Sequence, residues 1–112
     1  MREISDEFMQ QMLKTARPYS VMILSAGPNY RADGAEAIIW EHGRRNFEPR
    51  QSGQLAIICP ITDDSERCGI GLYSTDVETT KELMADDPGV KAGVFVYDVR
   101  PALSFPGDAL PS

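Results

Sequence analysis

The chain has 112 residues, of which 42% are hydrophobic and 25% are charged, and its formal net charge is −6 at pH 7. This length fits one domain and leaves no room for a second. Nucleic acids and anionic membranes are disfavoured as partners, because the 11 basic residues form no run longer than Arg44-Arg45. They are too few to supply the counterion release that drives such binding.

The sequence also bears on the cellular compartment. Residues 1–7 lack the basic start and apolar stretch of a signal peptide, and the apolar runs at 55–59 and 93–97 are too short to cross a bilayer. We therefore expect a cytoplasmic protein. Cys59 and Cys68 could pair across neighbouring strands, but free thiols are expected in a reducing compartment. A structural zinc site is disfavoured because the chain has no CxxC motif.

The first predicted element is a helix over residues 5–16. Ser5 can cap it, and Asp6 and Glu7 suit the positive end of its dipole. Its apolar residues recur at helical spacing and form one stripe. Arg17-Pro18 is expected to end it.

The remaining elements follow from hydrophobic periodicity interrupted by glycine and proline. In the longest helix Ala35, Ile38, Ile39 and His42 share one face at spacings of three, four and seven. After the first helix, the prediction is a strand at 19–26, a helix at 34–50, strands at 54–61 and 67–74, a helix at 76–85, a strand at 92–99 and an extended, proline-rich tail at 100–112.

The order of these elements predicts the fold class. A β-α-β-β-α-β series after an extra helix is typical of an α+β, ferredoxin-like domain with an antiparallel sheet and both long helices on one face. The other face of the sheet still needs cover. A second subunit is the simplest cover, so we expect a homodimer, and the first helix or the tail could contribute.

Four segments of the chain, in order, carry a resemblance to a known family. Their arrangement over residues 19–99 resembles the YCII-related family, and the sharpest motif is Asp87-Pro88, followed by a turn and Ala-Gly-Val entering the last strand. The four segments are Trp40-Glu41-His42, Leu55-Ala56-Ile57-Ile58-Cys59-Pro60, Gly69-Ile70-Gly71-Leu72-Tyr73 and the run from 86 to 95.

The resemblance implies a dimeric α+β barrel, in which two ferredoxin-like sheets pack face to face, and a cleft centred on His42 and Asp87. The family is similar in architecture to muconolactone isomerases and small cofactor-free monooxygenases. It includes an enzyme that dehydrohalogenates a chlorinated hydroquinone-type compound. This chain departs from the family at Cys59-Pro60, where Gly-Pro is usual, and in its extra first helix and tail, either of which could cover the cleft.

His42 is the only histidine of the chain, and histidine is the side chain best suited to proton transfer near neutral pH. The alternative is a core histidine with satisfied hydrogen bonds. Asp87 could cap a short turn that begins at Pro88, which would not exclude contact with His42. If the two meet, the carboxylate would orient the imidazole and leave its other nitrogen to move a proton. Two ligands are too few for a metal site, so we expect no metal and no cofactor.

Three further residues are candidates for substrate binding. Arg45 could contact an anionic substrate, although a solvated position is commoner for such a residue. Cys59 could be a nucleophile, but both cysteines lie in strands that are predicted to be buried, which favours small core residues. Gly71 alternates with Gly69 in a strand and could let a ligand or a backbone come close.

Two functions remain open from the sequence. The first is cofactor-independent acid–base catalysis on a small cyclic or phenolic molecule, by an isomerase-like or dehydrohalogenase-like reaction through His42 and Asp87. The alternative is a non-catalytic dimeric module that binds a metabolite or a protein partner. An enzyme should hold His42 and Asp87 within hydrogen-bond reach beside an open pocket.

Overall fold

The computed structural model describes residues 3–112, so Met1 and Arg2 of the signal-peptide argument lie outside the described residues. The domain is α+β, as predicted. Its elements agree with the predicted ones within a few residues, except that the short helix α4 was not among them and that the carboxyl-terminal end differs. They are α1 (Asp6–Lys14), β1 (Arg17–Ala26), α2 (Ala35–Gln51), β2 (Leu55–Pro60), β3 (Arg67–Tyr73), α3 (Val77–Ala85), α4 (Pro88–Lys91) and β4 (Phe95–Ser104).

The four strands form one antiparallel sheet in the order β2-β3-β1-β4. The long strand β1 lies in the middle and pairs with β3 on one side and with β4 on the other. The sheet and its helices are compatible with the expected ferredoxin-like arrangement, in which each long helix connects two strands that are not neighbours.

The helices α2 and α3 cover the same face of this sheet, as predicted. In β1 the buried residues alternate, so Ser20, Met22 and Leu24 face the helices while Val21 and Ile23 face away. Thr80 of α3 is fully buried, and its hydroxyl lies 2.6 Å from that of Ser20. The core formed between the two layers consists of Met22, Leu24, Ala35, Leu55, Tyr73, Met84, Val94, Phe95 and Val99.

The carboxyl-terminal end differs from the prediction. Residues 100–104 continue β4 and do not belong to a surface tail, because β1 begins at Arg17 and pairs Arg17 with Ser104 and Ser20 with Pro101. Proline is tolerated at this position because β4 is an edge strand, where every second backbone N–H has no partner strand to bind.

The first helix forms as predicted, with the Ser5 side chain accepting a hydrogen bond from the Phe8 backbone N–H. The apolar stripe of α1, however, is not buried against the rest of the chain. No residue of α1 is buried, and Phe8 and Leu13 are 48% and 58% exposed. Within residues 3–112 no helix has the length and apolar character needed to cross a membrane.

Candidate functional site

The site is built around Asp87, which is fully buried in the short connection between α3 and α4. Asp87 is the N-cap of α4, and its Oδ2 accepts hydrogen bonds from the backbone N–H groups of Gly89 (2.9 Å) and Val90 (3.2 Å). Pro88 occupies the first helical position, where a missing N–H costs nothing. The capping role that the Asp-Pro pair predicted is therefore confirmed.

Capping uses only one oxygen of the Asp87 carboxylate. The other, Oδ1, lies 2.8 Å from Nδ1 of His42. His42 is on the buried face of α2 together with Ala35, Asn46 and Pro49, and only 8% of it is exposed. The packing of α2 against α4 brings the two side chains together although they are 45 residues apart in the chain.

Hydrogen bonding determines the proton position on His42. An ionised carboxylate only accepts hydrogen bonds, so Nδ1 carries the proton and donates it to Asp87. The second ring nitrogen, Nε2, then presents a lone pair. The Phe95 ring packs beside the imidazole with 4.7 Å between ring centroids, which restricts its orientation further. The result is a histidine with one nitrogen oriented by a carboxylate and the other able to accept a proton.

A cavity of about 340 Å³ lies between α2 and the sheet, and His42 is part of its wall. The wall is otherwise mainly apolar, and among the described residues that line it none is a lysine, arginine, aspartate or glutamate. The apolar groups include Met22, Leu24, Ile39, Phe47, Leu55 and Phe95. Asp87 itself does not line the cavity and lies behind His42.

Of the three predicted substrate-binding residues, Cys59 and Gly71 line the cavity and Arg45 does not. The Arg45 guanidinium instead lies 3.9 Å from the Asp86 carboxylate and 4.0 Å from that of Asp87. An anionic substrate in this cavity would therefore not contact Arg45 in the arrangement that the structure has.

The cysteines were expected to be buried, and for Cys59 this prediction is wrong. Cys59, near the end of the edge strand β2, is exposed, and Cys68 in the inner strand β3 is half-buried. Both are free thiols, as predicted. Burial raises the pKa of the Cys68 thiol, which lowers its thiolate fraction at neutral pH and disfavours it as a nucleophile.

Gly71 has a packing reason for lacking a side chain. A Cβ at this position would lie 2.9 Å from the Tyr73 ring and 3.2 Å from Leu55 Cδ1. The absence of a side chain at Gly71 therefore leaves room for these core side chains and for the cavity that Gly71 lines. Burial raises the pKa of the Tyr73 hydroxyl, which donates to Met84 Sδ at 3.5 Å.

One polar residue of the cavity was not predicted from the sequence. Asn46 lines the cavity one helical turn after His42, is 9% exposed, and has its Nδ2 at 3.3 Å from His42 Nε2. Its position four residues after the only histidine was the available signal, because side chains at that spacing share a helix face.

The described residues contain no group of three or more His, Cys, Asp or Glu side chains that could hold a metal ion. Comparison with known proteins adds no identification. No protein-family profile matches the chain, and no curated protein matches it significantly.

Proposed function

We propose that this chain is a YCII-related protein that performs cofactor-independent acid–base catalysis on a small cyclic or phenolic molecule. One observation carries the proposal. The only histidine of the chain stands between a fully buried carboxylate, at 2.8 Å, and an apolar cavity of about 340 Å³. This arrangement suits a general base, which needs an oriented imidazole and a dry pocket for its substrate.

The chemistry follows from the tautomer of His42. Nε2 takes a proton from a C–H or O–H group of the substrate, and the imidazolium that forms is stabilised by the Asp87 carboxylate. In an isomerisation, Nε2–H returns this proton to a different carbon. In an elimination, the electrons of the broken C–H bond, or of the broken O–H bond in a hydroquinone, form a new double bond while a halide leaves with the electrons of its own bond.

The proposal includes a homodimer with the architecture of a dimeric α+β barrel. The strand order and the two helices on one face support the ferredoxin-like half of this expectation. The face of the sheet opposite the helices supports the dimer, because its apolar side chains Ile70 and Val96 are 41% and 48% exposed. Light scattering coupled to gel filtration should give twice the mass of one chain, which is 12.4 kDa. The substitution Ile70→Lys should lower the measured mass towards that of the monomer. A monomeric wild type would contradict this part.

The alternative, a binding module without turnover, is favoured by one observation. The Nε2 atom of His42 already has a partner, Asn46, and little of His42 is exposed. Such a histidine could act only as a hydrogen-bonding group for a ligand. The two functions differ in whether a proton leaves the substrate.

The test is His42-dependent proton transfer. The protein is incubated in D₂O with α-angelica lactone, a small cyclic carbon acid, and separately with chlorohydroquinone. Proton NMR follows deuterium incorporation, and a colorimetric assay follows chloride release. We expect at least one reaction in the wild type, loss of it in His42→Gln, and retention in the control Glu41→Gln, which changes an exposed neighbour of His42 that pairs with Arg44 at the surface. Binding of these compounds without any His42-dependent exchange or release would favour the binding module.

A further inference from the structure

The Asn46 side chain is unusual within the folded core. Its Oδ1 is the buried side-chain oxygen or nitrogen that has no hydrogen-bond partner among the described residues. Its Nδ2 makes a single hydrogen bond, to His42 Nε2, and the distance of 3.3 Å is long for a hydrogen bond. An amide that is nine-tenths buried is thus held by one weak hydrogen bond.

The orientation of this amide follows from the dyad. Because Asp87 keeps the proton of His42 on Nδ1, Nε2 is an acceptor and must face the N–H₂ end of Asn46. The reverse orientation would place two acceptors against each other. The cavity therefore holds an acceptor on His42 and a donor on Asn46, side by side.

Stability does not explain an asparagine at this position. A buried polar group without its partners costs free energy, and Asn46 offsets this cost with only one long hydrogen bond. Leucine has nearly the same shape as asparagine and would suit the apolar wall around it. A polar group that the fold does not need, beside the reactive histidine, points to a contact with a ligand.

We propose that Asn46 is a ligand-contacting residue, and that the cavity selects an uncharged molecule with a hydroxyl group on an apolar ring. The hydroxyl donates to His42 Nε2 and accepts from Asn46 Nδ2, replacing the long contact between these two atoms, while Asn46 Oδ1 can accept a hydrogen bond from a second donor of the ligand. This inference rests on the proposed function, and it adds the ligand class and a second polar contact. If the hydroxyl proton moves to Nε2, the oxygen that remains keeps the hydrogen bond from Asn46.

The cavity wall supports the uncharged class. Among the described residues, no lysine or arginine lines the cavity, and Arg45 pairs with the carboxylates outside it. An anion would therefore lose its hydration without gaining a cationic partner. A volume of about 340 Å³ is ample for a substituted ring, since a dry protein cavity of roughly 150 Å³ already binds benzene.

The test compares phenol with fluorobenzene, a ring of similar size that has no hydroxyl donor, and with benzoate. Dissociation constants are measured by NMR titration, and the melting temperature is measured in parallel. We expect the wild type to bind phenol at least about tenfold more tightly than either other ring, since an unmet polar pair penalises a ligand that lacks the hydroxyl. In Asn46→Leu this ratio should fall below about twofold, with an unchanged or higher melting temperature.

Phe47→Leu is the matched control, because it alters the same wall without removing a polar group. It should weaken phenol and fluorobenzene equally and keep their ratio. Equal binding of the two rings by the wild type, or an unchanged ratio in Asn46→Leu, overturns the inference and leaves the acid–base proposal standing. Marked destabilisation of both Asn46→Leu and Asn46→Ala also overturns it, because Asn46 would then be structural. Failure of all three rings to bind also overturns the inference, whereas the proposed function is decided separately by His42-dependent proton transfer.

Discussion

Replacing Asp87 with alanine tests the centre of the site. The Asp87 carboxylate accepts hydrogen bonds from His42 Nδ1 and from the backbone N–H groups of Gly89 and Val90. It is fully buried, so water cannot replace it without rearrangement. The substitution therefore leaves three donors without an acceptor and removes the cap of α4.

The expected magnitude follows from these contacts. Loss of an N-cap alone costs about 1 kcal/mol, and each buried donor left unsatisfied costs about 1–3 kcal/mol. Partial relaxation of α4 will recover some of this. Three such donors correspond to about 3–9 kcal/mol before relaxation, so we expect a loss near the lower end of this range, about 3–5 kcal/mol. Against a total stability of about 5–15 kcal/mol, this is a large fraction.

The assay is urea unfolding of the wild type and three variants. Asp87→Asn should lose much less stability than Asp87→Ala, because the asparagine oxygen still caps α4. Its N–H₂ group would then face His42 Nδ1, so the ring proton should move to Nε2. Nitrogen-15 NMR of the single histidine reports this tautomer directly. Asp86→Ala is the matched control, since Asp86 is exposed and contacts Lys91 at the surface, and stability should hardly change.

Two results would refute the reasoning. A loss below about 1 kcal/mol in Asp87→Ala would mean that the three hydrogen bonds are not all made or are readily replaced by water. An unchanged His42 tautomer in Asp87→Asn would mean that the carboxylate does not orient the imidazole. The acid–base mechanism would then lose its basis, even if the capping role remained.

Three further predictions concern packing and thiol chemistry. Gly89→Ala should destabilise the fold by about 1–3 kcal/mol in urea unfolding, because its Cβ would lie 2.5 Å from the Phe95 ring, and an unchanged midpoint would contradict this contact. Thr80→Val should cost roughly 1–2 kcal/mol in the same assay, since it removes a hydroxyl held between two others at 2.6 and 2.7 Å, and a neutral effect would argue against that network. Iodoacetamide should modify Cys59 faster than Cys68 near neutral pH. Burial raises the pKa of the Cys68 thiol, so the rate at which iodoacetamide modifies Cys68 should still increase with pH above 9.0. Mass spectrometry follows this rate, and a plateau below that pH would exclude the raised pKa.

Local signals in the sequence were sufficient for most of the elements. Ser5 caps α1 and Asp87 caps α4 as predicted, because a cap depends only on a side chain and the backbone two or three residues later. The position of His42 on the apolar face of α2 was also predicted, since spacing along a helix determines which residues share a face.

These local signals could not predict contacts between segments that are far apart in the chain. The prolines predict a tail from Arg100 onwards, yet residues 100–104 pair with the first part of β1. Likewise, the apolar stripe predicted the helix α1 itself but could not show that no residue of α1 is buried within the chain. Both outcomes depend on where distant segments lie.

The same distinction between local and long-range information applies to the candidate site. The sequence alone supplied one histidine on a helix face, one aspartate before proline, and an order of elements that predicts an α+β sheet. Only the tertiary structure decided that α2 packs against α4, so that His42 meets Asp87, Asn46 joins them and Arg45 stays outside the cavity. Residues within one turn of a helix are related by backbone geometry that the sequence specifies, whereas residues 45 apart meet only when the whole core has packed.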